Sequence, residues 1–158
     1  MRIVGDLDVA DRILQALEAV SDPELPALSI VDLGMVREVS GGPRPGVVLT
    51  PTFVGCPATQ VIRERVGQRL EEAGLGQTQV ALRLAPPWTS DWISDRGRRR
   101  LMELGLAPPA PRRDETPSAC PRCASPRTEQ ISAFGGAPCL ELRRCLACQE
   151  PYQGFKCH

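Results

Sequence analysis

Apolar residues at the start of the chain fall at helical spacing. Val9, Ala10, Ile13, Leu14, Leu17 and Val20 recur every three or four positions, which predicts an amphipathic helix. The helix should end near Val20, because Asp22-Pro23-Glu24-Leu25-Pro26 follows. Each Pro disfavours helical geometry in the residue before it, so Asp22 and Glu24 are expected in a rigid extended loop. Leu28 to Gly34 reads as a short turn of helix, with Gly34 releasing the chain. The pattern then switches to alternation. Met35 to Ser40 is a predicted strand, Gly41 to Gly46 a hairpin loop, and Gly46 to Phe53 a second strand.

Helical spacing returns from Pro57 to Ala73. Ala58, Val61, Ile62, Val66 and Leu70 form one stripe, and Gly74 is a suitable stop. Gln79 to Leu84 reads as a third strand, with Val80, Leu82 and Leu84 on one face. Strand, helix and strand at these lengths make a βαβ crossover, so the second and third strands should be parallel. Asp91 to Leu104 is a last helix, with Ser90 as candidate cap and Gly105 as stop. Its Arg96, Arg98, Arg99 and Arg100 read as a solvated face. Ala107 to Pro117 is Pro-rich and charged, which suits a stiff linker. The expected fold class is α+β: a small mixed sheet with a βαβ crossover and helices packed on it, plus a small metal-held β-ribbon module. The expected domains are 1–107, a linker at 108–117, and a Cys-rich module at 118–158.

Candidate chemistry sits first at Cys56. Gly55 precedes it and Pro57 follows, and Pro is favoured at the first helical position. That puts the thiol at or beside a helix N-cap, where free N–H groups and the helix dipole favour a thiolate. A buried small apolar residue is the other reading of the same Cys. Open α/β sheets bind ligands past the carboxyl ends of their strands. Cys56 lies past one such end and Pro86-Pro87-Trp88-Thr89 past the next, so the two loops are expected to meet, with Trp88 as a lid.

The totals narrow the field. The chain has 158 residues, and its 19 basic and 19 acidic residues cancel. No basic field points to nucleic acid or an anionic membrane. No apolar run approaches the ~20 residues that span a bilayer, and the first residues lack the pattern of a signal peptide. A cytoplasmic protein is expected. Of its seven Cys residues, six follow residue 119, and such clustering in a cytosolic chain argues for metal rather than disulfides.

Cys120-Pro121-Arg122-Cys123 and Cys145-Leu146-Ala147-Cys148 are two C-x-x-C pairs, the pattern of two knuckles closing one tetrahedral site. Thr128 to Phe134 and Leu140 to Arg144 read as ribbon strands, with Gly135-Gly136 at the bend. A module this small needs the folding free energy of its metal. Four thiolates in paired knuckles favour structural zinc. Cys139 and Cys157, with His158, are additional candidate ligands, which leaves an iron–sulfur cluster open. Their plain readings are a buried small residue and a frayed end. His158 is the lone His, which argues against a His-based catalytic zinc site or a Ser-His-Asp triad.

Ser21-Asp22-Pro23-Glu24, Leu28 to Val36, Gly55-Cys56-Pro57 and Pro86-Pro87-Trp88-Thr89 together resemble the SufT-like metal–sulfur cluster assembly family, over roughly residues 8 to 109. The tail adds Cys120-Pro121-Arg122-Cys123, Ile131 to Gly135 and Cys145 to Tyr152. With it the chain resembles the PaaD/PaaJ family, small accessory proteins of the bacterial ring 1,2-phenylacetyl-CoA epoxidase system. One departure is Ala124, where a Gly is expected after the second thiol.

The resemblance implies a non-catalytic accessory of phenylacetate degradation that helps assemble or maintain iron–sulfur or iron centres. It implies that Cys56 is the reactive thiol or transient cluster ligand and that the acidic loop of Asp22 and Glu24 lies near it. Thr59 could donate a hydrogen bond from the first helical turn. For Asp22 and Glu24, turn formation and capping is the plain alternative. The implied partners are the oxygenase and reductase subunits of the epoxidase and the iron–sulfur assembly machinery, with a homodimer left open. A structural or electron-transfer component holding a permanent centre is the competing reading. An enzyme using Cys56 as a covalent nucleophile is a third, and it lacks a His base.

Overall fold

In the computed structural model, residues 1–109 and 119–156 are described. The chain divides into two compact units, Met1–Trp88 and Thr89–His158. Residues 89–107, expected with the first domain, thus group with the second unit. Much of the expected linker, residues 110–117, lies outside the described residues.

The first unit holds strand β1 (Arg2–Val4), helix α1 (Leu7–Glu18), strands β2 (Val36–Ser40) and β3 (Gly46–Leu49), helix α2 (Ala58–Glu72) and strand β4 (Gln79–Leu82). The sheet order is β1-β2-β3-β4. β2 and β3 are an antiparallel hairpin, and β1 and β4 add in parallel at the two edges. The mixed sheet and the β3-α2-β4 crossover are as the pattern predicts. α1 starts at Asp6, whose carboxylate accepts from the Val9 N–H, the usual Asp cap. It buries Ala10, Ile13, Ala16 and Leu17. α2 buries Ala58, Ile62, Val66 and Leu70. Val39, Val47 and Leu49 of the hairpin are buried as well.

Several boundaries move. β3 stops at Leu49, short of Phe53. The Thr50 N–H still reaches the Met35 carbonyl at 2.8 Å, but Pro51 has no N–H to continue the ladder. Val61 is 40% exposed and lies off the buried stripe of α2. β4 is an edge strand, and its expected apolar face is open: Leu82 and Leu84 are 42% and 52% exposed. The 22–26 segment turns rather than extends. One Asp22 carboxylate oxygen accepts from the Glu24 and Leu25 N–H groups at 2.8 and 2.9 Å, an Asx turn. Ser21 bridges to Ser29. The Leu28–Gly34 stretch is a run of turns, in which Asp32 Oδ2 accepts from the Ser29 hydroxyl at 2.9 Å. Gly34 at φ +66° releases the chain into β2.

The second unit begins with a short 3-10 turn (Ser90–Trp92), then helix α3 (Asp95–Glu103) and strands β5 (Leu106–Ala107), β6 (Thr128–Ser132), β7 (Leu140–Cys145) and β8 (Pro151–Phe155). The sheet order is β5-β8-β7-β6, with β5 parallel to β8 and the rest antiparallel. The cap of α3 is Ser94, whose hydroxyl accepts from the Gly97 N–H at 2.9 Å. The predicted helix starting at Asp91 fails because Ile93 is extended, at φ −63° and ψ 127°. Arg98 is not free on a solvated face: its guanidinium donates to the Ser90 and Pro109 carbonyls at 2.8 and 2.6 Å. Ala107, Cys120, Cys145 and Tyr152 form one buried cluster. No described helix is long and apolar enough to cross a membrane.

Candidate functional site

The Cys56 turn is assembled from local rules. Gly55, at φ +86°, reverses the chain, a conformation that suits Gly. The Cys56 N–H donates to the Phe53 carbonyl at 3.3 Å, and its own carbonyl accepts from the Thr59 N–H at 3.1 Å. Pro57 occupies the N-cap position in helical geometry and offers no side-chain cap. Cys56 therefore stands one residue before the cap, half-buried. Its Sγ accepts from the Ala58 N–H and the Thr59 hydroxyl and feels the charges of Glu24 and Asp22. Separate stretches of the chain thus bring Cys56, Thr59, Asp22 and Glu24 together. Arg65 of α2 braces the acidic loop by donating to the Ser21 carbonyl at 3.3 Å.

The thiolate expected from the helix start is corrected by the surroundings. Burial pushes the Cys56 thiol up, the Ala58 and Thr59 donors pull it down, and the Glu24 and Asp22 carboxylates push it up again. The net direction is upward, because a charged form loses hydration on burial and two nearby negative charges oppose a third. Glu24 is raised by burial and by Asp22. Cys56 is thus a thiol at neutral pH. Its alkylation by iodoacetamide should rise with pH and lag a free cysteine in the neutral range. Glu24→Gln removes one opposing charge, so its profile should move to lower pH and its neutral-pH rate should rise several-fold. An unchanged profile would separate Glu24 from the thiol.

Trp88 is 3% exposed, and its indole N–H donates to the Leu33 carbonyl at 2.8 Å. The loop after β4 is thereby anchored on the turns before β2. Asp22 does what the plain reading expected, closing a turn, and its charge is also felt at the thiol.

The second centre is the four-thiol cluster. The Sγ atoms of Cys120, Cys123, Cys145 and Cys148 all lie within 4.8 Å of one another. Cys120 to Cys148 measures 3.8 Å and Cys123 to Cys145 3.6 Å. Bonds of ~2.3 Å from one ion to tetrahedral thiolates put the sulfurs about 3.8 Å apart. The four thiols therefore fit a single metal ion. Ala147 and Cys148 N–H groups point at the Cys145 sulfur at 3.4 and 3.5 Å. The Cys148 N–H leads in holding Cys145 down to about 6. On Cys123 the Ser125 N–H acts downward, but the neighbouring thiols prevail and push it up to about 12.

Each knuckle ends in a left-handed residue, Ala124 at φ +57° and Gln149 at φ +62°. Without Gly, each costs roughly 1–2 kcal/mol, which the metal site must offset. The Ala124 position thus has the geometry for which a Gly is expected. Arg122 pairs with Glu150 and ties the two knuckles together on the surface. Cys139 is buried and stands outside the four converging thiols. Cys157 and His158 lie outside the described residues. Neither β5 nor β8 is visible in the sequence pattern, because the first is two residues long and the second contains Pro and Gly.

Comparison with known proteins follows the same division. Residues 10–82 match the family described as iron-sulfur cluster assembly protein, and residues 107–156 match the PaaD zinc beta ribbon domain. An Escherichia coli (strain K12) protein, named as a subunit of "Putative 1,2-phenylacetyl-CoA epoxidase", is 43% identical over 146 residues, covering 89% of this chain and 88% of that protein. The crystal structure of the domain of unknown function DUF59 from Bacillus anthracis aligns at a TM-score of 0.55 and 28% identity, covering 60% of this chain and 92% of that one. The conserved hypothetical protein TM0487 from Thermotoga maritima aligns at 0.50 and 29% identity, covering 58% and 91%. A cluster-assembly domain followed by a zinc-ribbon domain, with the Escherichia coli relative matched along almost its whole length, means that the chain belongs to the PaaD family.

Proposed function

We propose that this protein is a non-catalytic accessory of phenylacetate degradation that assists assembly or maintenance of iron–sulfur or iron centres in the phenylacetyl-CoA epoxidase complex. The observation that carries this reading is the company kept by Cys56: two hydrogen-bond donors on its sulfur and the carboxylates of Glu24 and Asp22 in range of it. The sulfur and the two carboxylates do not converge as the four ribbon thiols do; Cys56 offers iron one soft donor, and the carboxylates set the charge around it. A site of this kind, half-buried and without a closed thiolate cage, suits cargo taken up and released. The thiol gives up its proton when it takes the metal, so cargo binding strengthens as pH rises.

The four-thiolate site has a different task. Zinc held by Cys120, Cys123, Cys145 and Cys148 would hold the ribbon together and leave no open position for a substrate. That all four sulfurs lie within 4.8 Å of one another speaks for one ion, since a two-iron, two-sulfide cluster holds two thiolates on each iron and sets the two pairs farther apart. The clients in this reading are the oxygenase and reductase subunits.

Complementation of a deletion strain tests it. Cys56→Ser should fail to restore epoxidase activity, with the reductase depleted of its cluster and the variant's ribbon metal intact. Full activity with normal cluster content would overturn the proposal. So would a brown wild-type protein carrying labile sulfide in the four-thiolate site, since the ribbon would then hold the working centre.

A further inference from the structure

The two knuckles are built alike. In each, the first thiol is buried and the second is open to water: Cys120 and Cys145 are 2% and 0% exposed, whereas Cys123 and Cys148 are exposed. The buried pair packs with Ala107 and Tyr152. Backbone closes both turns, through the Ala124 N–H to the Cys120 carbonyl at 2.9 Å and the Cys145 N–H to the Glu150 carbonyl at 3.0 Å. The short sulfur separations cross between knuckles, and each joins one exposed thiol to one buried thiol. Cys123 lies 3.6 Å from Cys145, and Cys148 lies 3.8 Å from Cys120. Each exposed thiol is followed directly by a left-handed residue, Ala124 or Gln149. A knuckle released by its ion therefore relaxes at that residue.

A metal-held cysteine is a thiolate, and the thiolate is the form that oxidants attack, the more so the more it is exposed. Half of this site thus faces an oxidant and half is shielded from it, with a shielded sulfur beside each exposed one. We propose that the ribbon is a peroxide-modified switch, in which Cys123 and Cys148 are the attacked sulfurs and Cys145 and Cys120 the resolving ones. The exposed thiolate attacks hydrogen peroxide. An S–O bond forms, the O–O bond breaks and hydroxide leaves, so the sulfur is oxidised to a sulfenic acid. The buried thiolate opposite then attacks that sulfur. An S–S bond forms, the S–O bond breaks and a second hydroxide leaves. Two protons from solvent turn the two hydroxides into water. One peroxide is then reduced, two thiolates are joined in one disulfide, and the ion has lost two of its four ligands. The ion departs, and the disulfide takes over the link between the knuckles. A second peroxide closes the other pair in the same way. The inference needs a metal on the four thiols and makes no use of Cys56.

Zinc-loaded full-length protein is treated with hydrogen peroxide, as wild type and as Cys56→Ser. Zinc release is followed with a chromogenic chelator too weak to strip the untreated protein. Sulfenic acid is trapped with dimedone, and disulfides are mapped by mass spectrometry. Both proteins should lose nearly all their zinc. Dimedone should mark Cys123 and Cys148, and the links should be Cys123–Cys145 and Cys120–Cys148. Dithiothreitol with added zinc should restore the metal content. Zinc retained at peroxide concentrations that fully oxidise Cys56 in the wild type overturns the switch. Dimedone on Cys120 or Cys145 ahead of the exposed thiols overturns the assigned roles, as do links within one knuckle. Sulfinic acids in place of disulfides, or zinc that does not return on reduction, overturn reversibility and with it the switch. None of these outcomes bears on Cys56 as the cargo thiol, which complementation tests by itself.

Discussion

Cys145→Ser should empty the metal site and unfold the β6–β8 sheet, while the first unit keeps its own melting transition. Cys145 is fully buried, at 0% exposure. Its sulfur receives two backbone N–H groups and stands 3.6 Å from Cys123. It also belongs to the small buried cluster around the knuckles, with Ala107, Cys120 and Tyr152. The two knuckles close on each other through the four thiols, so the ribbon depends on its ion, and structural zinc supplies about 10–16 kcal/mol in small peptides. The expected results are loss of bound metal by mass spectrometry and loss of hydrogen-exchange protection in β6, β7 and β8. Excess chelator should do the same to the wild type. Cys139→Ser is the control: it is buried but outside the converging thiols, so metal should stay. Retention of metal and protection by Cys145→Ser would show that the sheet stands without the site. The first unit should survive because it has a buried core of its own, with Ile13, Leu17, Leu49, Ile62, Val66 and Leu70 all buried.

Trp88→Ala should destabilise the first unit by about 3–5 kcal/mol, the usual range for emptying a large aromatic site. The indole is buried, and removing it also strips the Leu33 carbonyl of its partner. Trp88→Phe keeps much of the burial and loses the hydrogen bond, so its cost should be smaller, about 1–3 kcal/mol. Urea unfolding followed by circular dichroism measures both. The effect should extend to the thiol. The turns held by Trp88 include Leu28, whose carbonyl accepts from the Asp22 N–H at 2.9 Å. Loosening them should let Asp22 and Glu24 drift from Cys56 and move its alkylation profile toward lower pH. A destabilised Trp88→Ala with an unaltered profile would mean that the acidic loop is held from elsewhere.

The chemistry of the ribbon was legible because its information is local. Two C-x-x-C pairs are short enough that each knuckle forms by itself, and a metal that wants four thiolates brings them together. The β3-α2-β4 crossover was legible for a similar reason: its periodicities switch cleanly and its loops are short. By contrast, the Asp22 carboxylate turned the chain back at a place where the two Pro residues suggested extension. The sequence pattern holds no trace of β1 or β5, because edge strands of a few residues are selected by the partner that offers them hydrogen bonds, and none of β8, whose Pro and Gly hide an inner strand.

The state of Cys56 marks the boundary between the two kinds of information. From the sequence came its place between a strand and a helix, and its association with Asp22, Glu24 and Thr59 through family resemblance. Position at a helix start argued for a thiolate. Only the tertiary structure shows that burial and two carboxylates from a distant loop outweigh the Ala58 and Thr59 donors. A charge balance of this sort is a sum over neighbours, and neighbours are set by how α2 and the 22–26 turn pack. Local pattern determined the helices, most of the strands and the paired thiols. Packing decided what each ionisable group feels, which strands join the edges, and which two of the four thiols, Cys123 and Cys148, are left open to water.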